Sequence, residues 1–185
     1  DKTDFSCMVD GVKVKFDIAF LMIHGTPGED GLLQGYFEMM GIPHTTCSSF
    51  VSALTFNKYS CKAFLREAGV HLAKDMYIRK GAGWDAASVV ERLGLPVFVK
   101  PVSDGSSFGI SKVKKVEDLA SAVELAFTKS DSIIIEEAIK GRELTEGAFT
   151  RNGEIVTLPI TEIVTDHEYF DYDAKYLGES QEICP

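Results

Sequence analysis

Asn152-Gly153 is the strongest short hairpin signal in this chain. Apolar runs flank the pair at residues 144–149 and 155–158, and the spacing predicts a β-hairpin closed by a tight turn. The chain beyond residue 140 therefore reads as antiparallel β. Earlier the punctuation is different. Residues 16–23 (FDIAFLMI) read as a buried strand entering the loop of residues 24–31 (HGTPGEDG). Leu32, Leu33, Tyr36, Phe37 and Met40 then recur at helical spacing, with Gly41 at the C-cap and Pro43 blocking continuation. This is a strand–loop–helix unit of α/β type.

Between these parts, Asn57 is a good N-cap for a helix burying Cys61, Phe64, Leu65 and Ala68, closed by Gly69. Ala86, Val89, Val90 and Leu93 form another helical stripe. Two short strands, 97–100 and 110–113, are joined by a loop of small residues. Residues 117–127 form a third amphipathic helix, with Leu119, Ala122, Val123 and Ala126 on one face, and 133–136 is again a strand. The fold class is thus α/β grading into α+β. The units expected are residues 1–55, 56–137 and 138–185.

Bulk properties narrow the partners. The net charge of -9 argues against nucleic acid, whose phosphates select basic faces, yet one nucleotide needs only a few placed lysines. Apolar stretches are about seven residues or fewer, short of the ~20 that span a bilayer, so membrane insertion is not expected. No secretory leader pattern opens the sequence. Cys7, Cys47, Cys61 and Cys184 are scattered without metal-ligand spacing, and read as free thiols in a reducing cytoplasm.

Three segments carry chemistry. Residues 104–109 (DGSSFG) expose backbone N–H groups and two hydroxyls, so they either wrap phosphate oxygens or form a small-residue hairpin turn. They are neither a Walker A nor a dinucleotide fingerprint. Lys100 ends the apolar strand before them, where its ammonium either snorkels to solvent or meets an anion in a cleft. Residues 133–139 run from a strand into the suspected junction, where freed backbone groups could read a purine edge. Glu143 could hold ribose hydroxyls, and a solvated acidic strand end is the alternative. Residues 170–176 (FDYDAKY) are either a functional loop with Lys175 or an amphipathic cover, and His24 is a ligand contact or a cap.

Taken together, these segments resemble the D-alanine–D-alanine ligases, an ATP-grasp family. The matches are HGTPGEDG at 24–31, Asn57-Lys58, Val99-Lys100-Pro101, GSSFG at 105–109, Gly141-Arg142-Glu143 and FDYDAKY at 170–176, in the family's order. Asn57, Arg142, Phe170 and Asp173 depart from residues common there, and none removes a reacting group.

The resemblance implies an incomplete ATP-grasp fold, with residues 1–55 the remnant of the preceding α/β domain. Lys58 and Lys100 would hold ATP phosphates, and Ser107 with the loop amides would contact the transferring phosphate. Lys175 would reach the γ-phosphate. Residues 136–139, through Glu136, Glu137 and Ile139, would form the adenine hinge, and Glu143 would hold ribose. His24, Ser106 and Tyr176 would flank the D-alanine pocket. The reaction implied joins two D-alanines through an acyl phosphate, for peptidoglycan. D-alanine–D-lactate synthesis is an alternative that Tyr176 argues against, and the isolated chain could be a non-catalytic nucleotide-binding fragment. Carboxylates for Mg²⁺ (or Mn²⁺) are expected beyond residue 185, and a glutamate completing the Ser106–Tyr176 network before residue 1. A homodimer is expected for the full-length enzyme.

Overall fold

The computed structural model describes residues 4–165, 169, 175–177 and 180–184. It opens with an antiparallel hairpin of β1 (Ser6–Val9) and β2 (Val12–Lys15), followed by α1 (Leu32–Met39), α2 (Ser49–Phe56) and α3 (Lys58–Glu67). A four-stranded antiparallel sheet organises the middle. Its order is β3 (Asp75–Arg79), β6 (Ser132–Glu137), β4 (Val97–Pro101), β5 (Ser111–Val113). Helices α4 (Ala86–Leu93) and α5 (Leu119–Phe127) connect these strands. Beyond it, β7 (Glu143–Thr145), β10 (Thr161–Thr165) and β11 (Ser180–Ile183) form a second antiparallel sheet. β8 (Ala148–Arg151) and β9 (Glu154–Thr157) pair as a separate hairpin.

The alternation of side chains gives the middle sheet two unlike faces. Ile133 and Ile135 of β6, Val97 and Val99 of β4, and Ile78 of β3 point to one side, where Val89, Leu93, Leu119, Val123 and Ala126 cover them. Several of these side chains have no exposed surface, and each fully buried one stabilises the fold by ~1.5–3 kcal/mol. The other face carries Phe98, Lys100, Ile134 and Glu136, which stand opposite one another in the ladder as Phe98–Glu136 and Lys100–Ile134. Helix α3 lies over that second face, with Tyr59 stacked on Tyr77 at 4.4 Å between ring centroids.

The hairpin turn forms as expected, with Asn152 at φ 53 and Gly153 at φ 82. Its first arm is shorter than residues 144–149. Leu144 belongs instead to β7, and the chain breaks at Gly147, whose carbonyl accepts from Leu158 N. A Cβ at Gly147 would sit 3.0 Å from Leu158 Cδ1. Residues 16–23 are not the buried strand expected. Among the described residues they make a single parallel bridge, Ala19–His44, and Phe20 and Met22 are 75% and 78% exposed. A strand is held by its neighbours, and this segment has one bridge in place of a ladder. The stripe expected on α3 is also wrong in its facing. Phe64 is 59% exposed and Lys62 is the buried residue, because α3 packs on the polar face of the sheet.

Candidate active site

The site is built from the start of α3, the end of β4 and the loop after that strand. Asn57 caps α3 by accepting from Ser60 N at 2.8 Å, and its amide lies 3.4 Å from Ser103 Oγ. Lys58 N donates to Val102 O, so the helix start is stitched to the strand end. Lys58 therefore projects over the loop, and its ammonium donates to Asp104 O at 2.7 Å. Burial, then the like charge of Lys100, push the Lys58 ammonium below its usual 10.5, and Lys175 acts in the same direction. Asp104 and Glu136 oppose this in part.

Loop 104–109 is held in an uncommon shape. Ser106 and Ser107 both take positive φ, 53 and 61, a conformation costly for residues with a Cβ and frequent at functional sites. Gly109 at φ +69 packs tightly, since a Cβ there would lie 3.0 Å from both Lys129 and Pro101 side-chain carbons. The turn presents the two hydroxyls outward. Lys175 Nζ donates to Ser107 Oγ at 2.6 Å, and Ser106 Oγ pairs with Tyr176 Oη at 2.8 Å. His24 joins this end, with its ring 6.2 Å from that of Tyr176. Glu29 was not anticipated from the sequence. It accepts from Gly25 N at 2.6 Å and lies 4.0 Å from His24 Nδ1, bracing the His24 loop.

On the sheet, Lys100 Nζ meets Glu136 Oε2 at 2.6 Å, and Lys62 meets Glu136 Oε1 at 2.5 Å. Burial pushes the Glu136 carboxyl up, and Lys100 and then Lys62 more than reverse this, leaving it below the usual 4.5. Glu137 faces away, accepting from Lys74 N at 2.8 Å. The chain then lines a cavity of about 560 Å³ that includes Phe98, Ile139, Glu143 and Tyr169. Phe98 and Tyr169 stand edge to face at 5.2 Å. Thus Lys58, Lys100, Ser107 and Lys175 gather at one end, Ser106, Tyr176 and His24 beside them, and Ile139 with Glu143 at the cavity. Phe170 through Ala174, with the expected departures Phe170 and Asp173, lie outside the described residues. Among the described residues no three His, Cys, Asp or Glu side chains gather to hold a metal.

The family description "D-ala D-ala ligase C-terminus" matches residues 64–185, and "D-ala D-ala ligase N-terminus" matches residues 3–47. The chain belongs to the D-alanine–D-alanine ligase family. A D-alanine–D-alanine ligase of Phocaeicola vulgatus is 49% identical over all 185 residues, which span 57% of that protein. Among solved structures, D-alanyl-alanine synthetase A of Vibrio cholerae superposes with a TM-score of 0.82 at 29% identity, covering 90% of this chain and 52% of that one. The Bacillus anthracis D-alanine–D-alanine ligase complexed with ATP gives 0.74 at 29% identity, covering 91% and 52%. These neighbours share the ATP-grasp fold, and the chain spans little more than half the length of its relatives. No helix among the described residues is long and apolar enough to cross a membrane.

Proposed function

We propose that this chain contributes the nucleotide-binding part of an ATP-dependent ligase joining two D-alanines for peptidoglycan. The observation that supports this best is the gathering of Lys58, Lys100 and Lys175, with Lys58 and Lys175 bonded to the strained 104–109 loop. Three ammoniums in one place repel one another, and a polyphosphate relieves that repulsion. The flanking cavity with Phe98, Ile139 and Glu143 suits a nucleoside. In this reading the lysines and loop amides neutralise the charge of phosphoryl transfer to the first D-alanine carboxylate. The second D-alanine then attacks the acyl phosphate, near Ser106, Tyr176 and His24. Glu136 and Glu137 form the strand end that leads into the hinge, with their carboxylates engaged elsewhere, and Ile139 follows at the cavity. Mg²⁺ (or Mn²⁺) is implied by the family alone.

The same reading divides the chain into an N-terminal remnant at 1–55 and ATP-grasp subdomains at 56–137 and 138–185. It takes the enzyme to be cytoplasmic and homodimeric. The direct test is ATP- and D-alanine-dependent phosphate release, with product analysis, by a full-length ligase carrying this sequence. Lys100→Ala should lower turnover by roughly a hundredfold, the scale for one preorganised charge contact, with the fold intact. Near-normal turnover would mean that Lys100 is only a snorkelling lysine.

A further inference from the structure

Among the described residues, one buried cation has no part in the phosphate contacts proposed above. Lys62, mid-way along α3, is only 9% exposed. An ammonium at that depth is stable only with anions and acceptors around it. Its Nζ donates to Ala73 O at 2.9 Å and to Glu136 Oε1 at 2.5 Å, and Asp75 Oδ2 stands 3.9 Å away. Arg66 holds the other oxygen of Asp75 at 2.8 Å. Glu136 passes the row on to Lys100 through Oε2. Charges of alternating sign thus run from Arg66 at the surface, through Asp75, Lys62 and Glu136, to Lys100 at the cleft.

We propose that Lys62 is a positioning residue for ATP, acting through Glu136 on Lys100. The proposal rests on Lys100 being a phosphate contact, as read above. A carboxylate held at one oxygen can rotate about its last bond, whereas one held at both by charged donors has a fixed plane. Lys62 therefore sets where Glu136 Oε2 sits, and with it where Lys100 points. Charge balance supports the same role. Glu136 alone would neutralise Lys100 and compete with a phosphate for it. Sharing the carboxylate between two ammoniums leaves the trio with a net charge of about +1, so the cleft still attracts an anion. If Lys62 merely clamped α3 to the sheet, its loss would lower stability without singling out ATP and without depending on Glu136.

The experiment uses the full-length ligase with Lys62→Met, Lys62→Arg, Glu136→Gln and the Lys62→Met/Glu136→Gln pair. Melting temperature, ATP affinity by calorimetry, and KM for ATP and for D-alanine are measured on each. Lys62→Met is expected to weaken ATP by roughly tenfold or more, the scale for truncating one partner of a buried charge pair. KM for D-alanine stays put, and Lys62→Arg restores most of the loss. In the Glu136→Gln background, Lys62→Met should change ATP affinity by less than about twofold, because its route is gone. A lowered melting temperature with unchanged ATP affinity overturns the proposal, as does an equal loss in both backgrounds. If Lys62→Met alone does not fold, the comparison of Glu136→Gln with the pair decides: near-equal affinities support the route, and a further tenfold loss rejects it. Failure of the underlying reading looks different, since Lys100→Ala would then keep the ATP affinity of the unmodified enzyme.

Discussion

Glu136 holds a charge that burial opposes and two lysines impose. Its folded carboxyl titrates below 4.5, the ordinary value, so its ionised form contributes stability that is complete above that pH. The contribution fades as pH falls below 4.5 toward the folded value. Urea midpoints tracked from about pH 6 down to about pH 3 should therefore drop more steeply for the native sequence than for Glu136→Gln. Parallel curves would mean that the carboxyl titrates no differently when folded. Lys100 drew notice in the sequence because a lysine closing an apolar strand needs a reason, whereas Lys58 was singled out only by its resemblance to the family motif. Lys62 was not singled out at all. On a helix read for its apolar stripe, a lysine is assigned to water, and only the paired strands reveal Glu136 and Asp75 waiting beneath it. Glu29 escaped for a similar reason, since its service to His24 depends on how loop 24–31 folds back.

Among the elements, caps and turns were the most readable, because their chemistry is local. Asn57, Gly41 and the Asn152-Gly153 turn act within four residues of themselves. The strand at β6 and the helices α4 and α5 emerged from strong periodicity over a dedicated core. What failed was long-range. β3 carries Asp75, Met76, Tyr77, Ile78 and Arg79, a mixed string whose strand character comes from pairing with β6. Residues 16–23 erred the other way, apolar enough for a strand but without a ladder. The Asn57 cap offers an element-scale test. Asn57→Ala should cost about 1 kcal/mol of stability, and Asn57→Asp, which keeps the acceptor for Ser60 N, should retain most of it. Denaturant titration of the three proteins checks this. Equal losses in both variants would place the contribution in the Ser103 contact instead, where the amide is required.

At the scale of the whole chain, residues 16–23 form an exposed apolar run, with Phe16, Ile18, Phe20, Met22 and Ile23 all in contact with solvent. Asp17 is its single charge, and it contains neither proline nor glycine. Such a segment offers unpaired backbone to a neighbouring copy. The 185-residue chain should self-associate as its concentration rises, and Phe20→Lys with Met22→Lys should suppress this by adding charge at the edge. Light scattering against concentration distinguishes the two, and identical curves would exonerate the segment. The two-faced strand β6 has an opposite consequence. Its odd-numbered isoleucines make the core while Ile134 and Glu136 make the cleft, so a slip of one residue would bury the carboxylate and turn Ile135 outward. No partly assembled copy then presents the ordered row of charges. The register that builds the core is also the register that builds the charged row, and neither forms without the other.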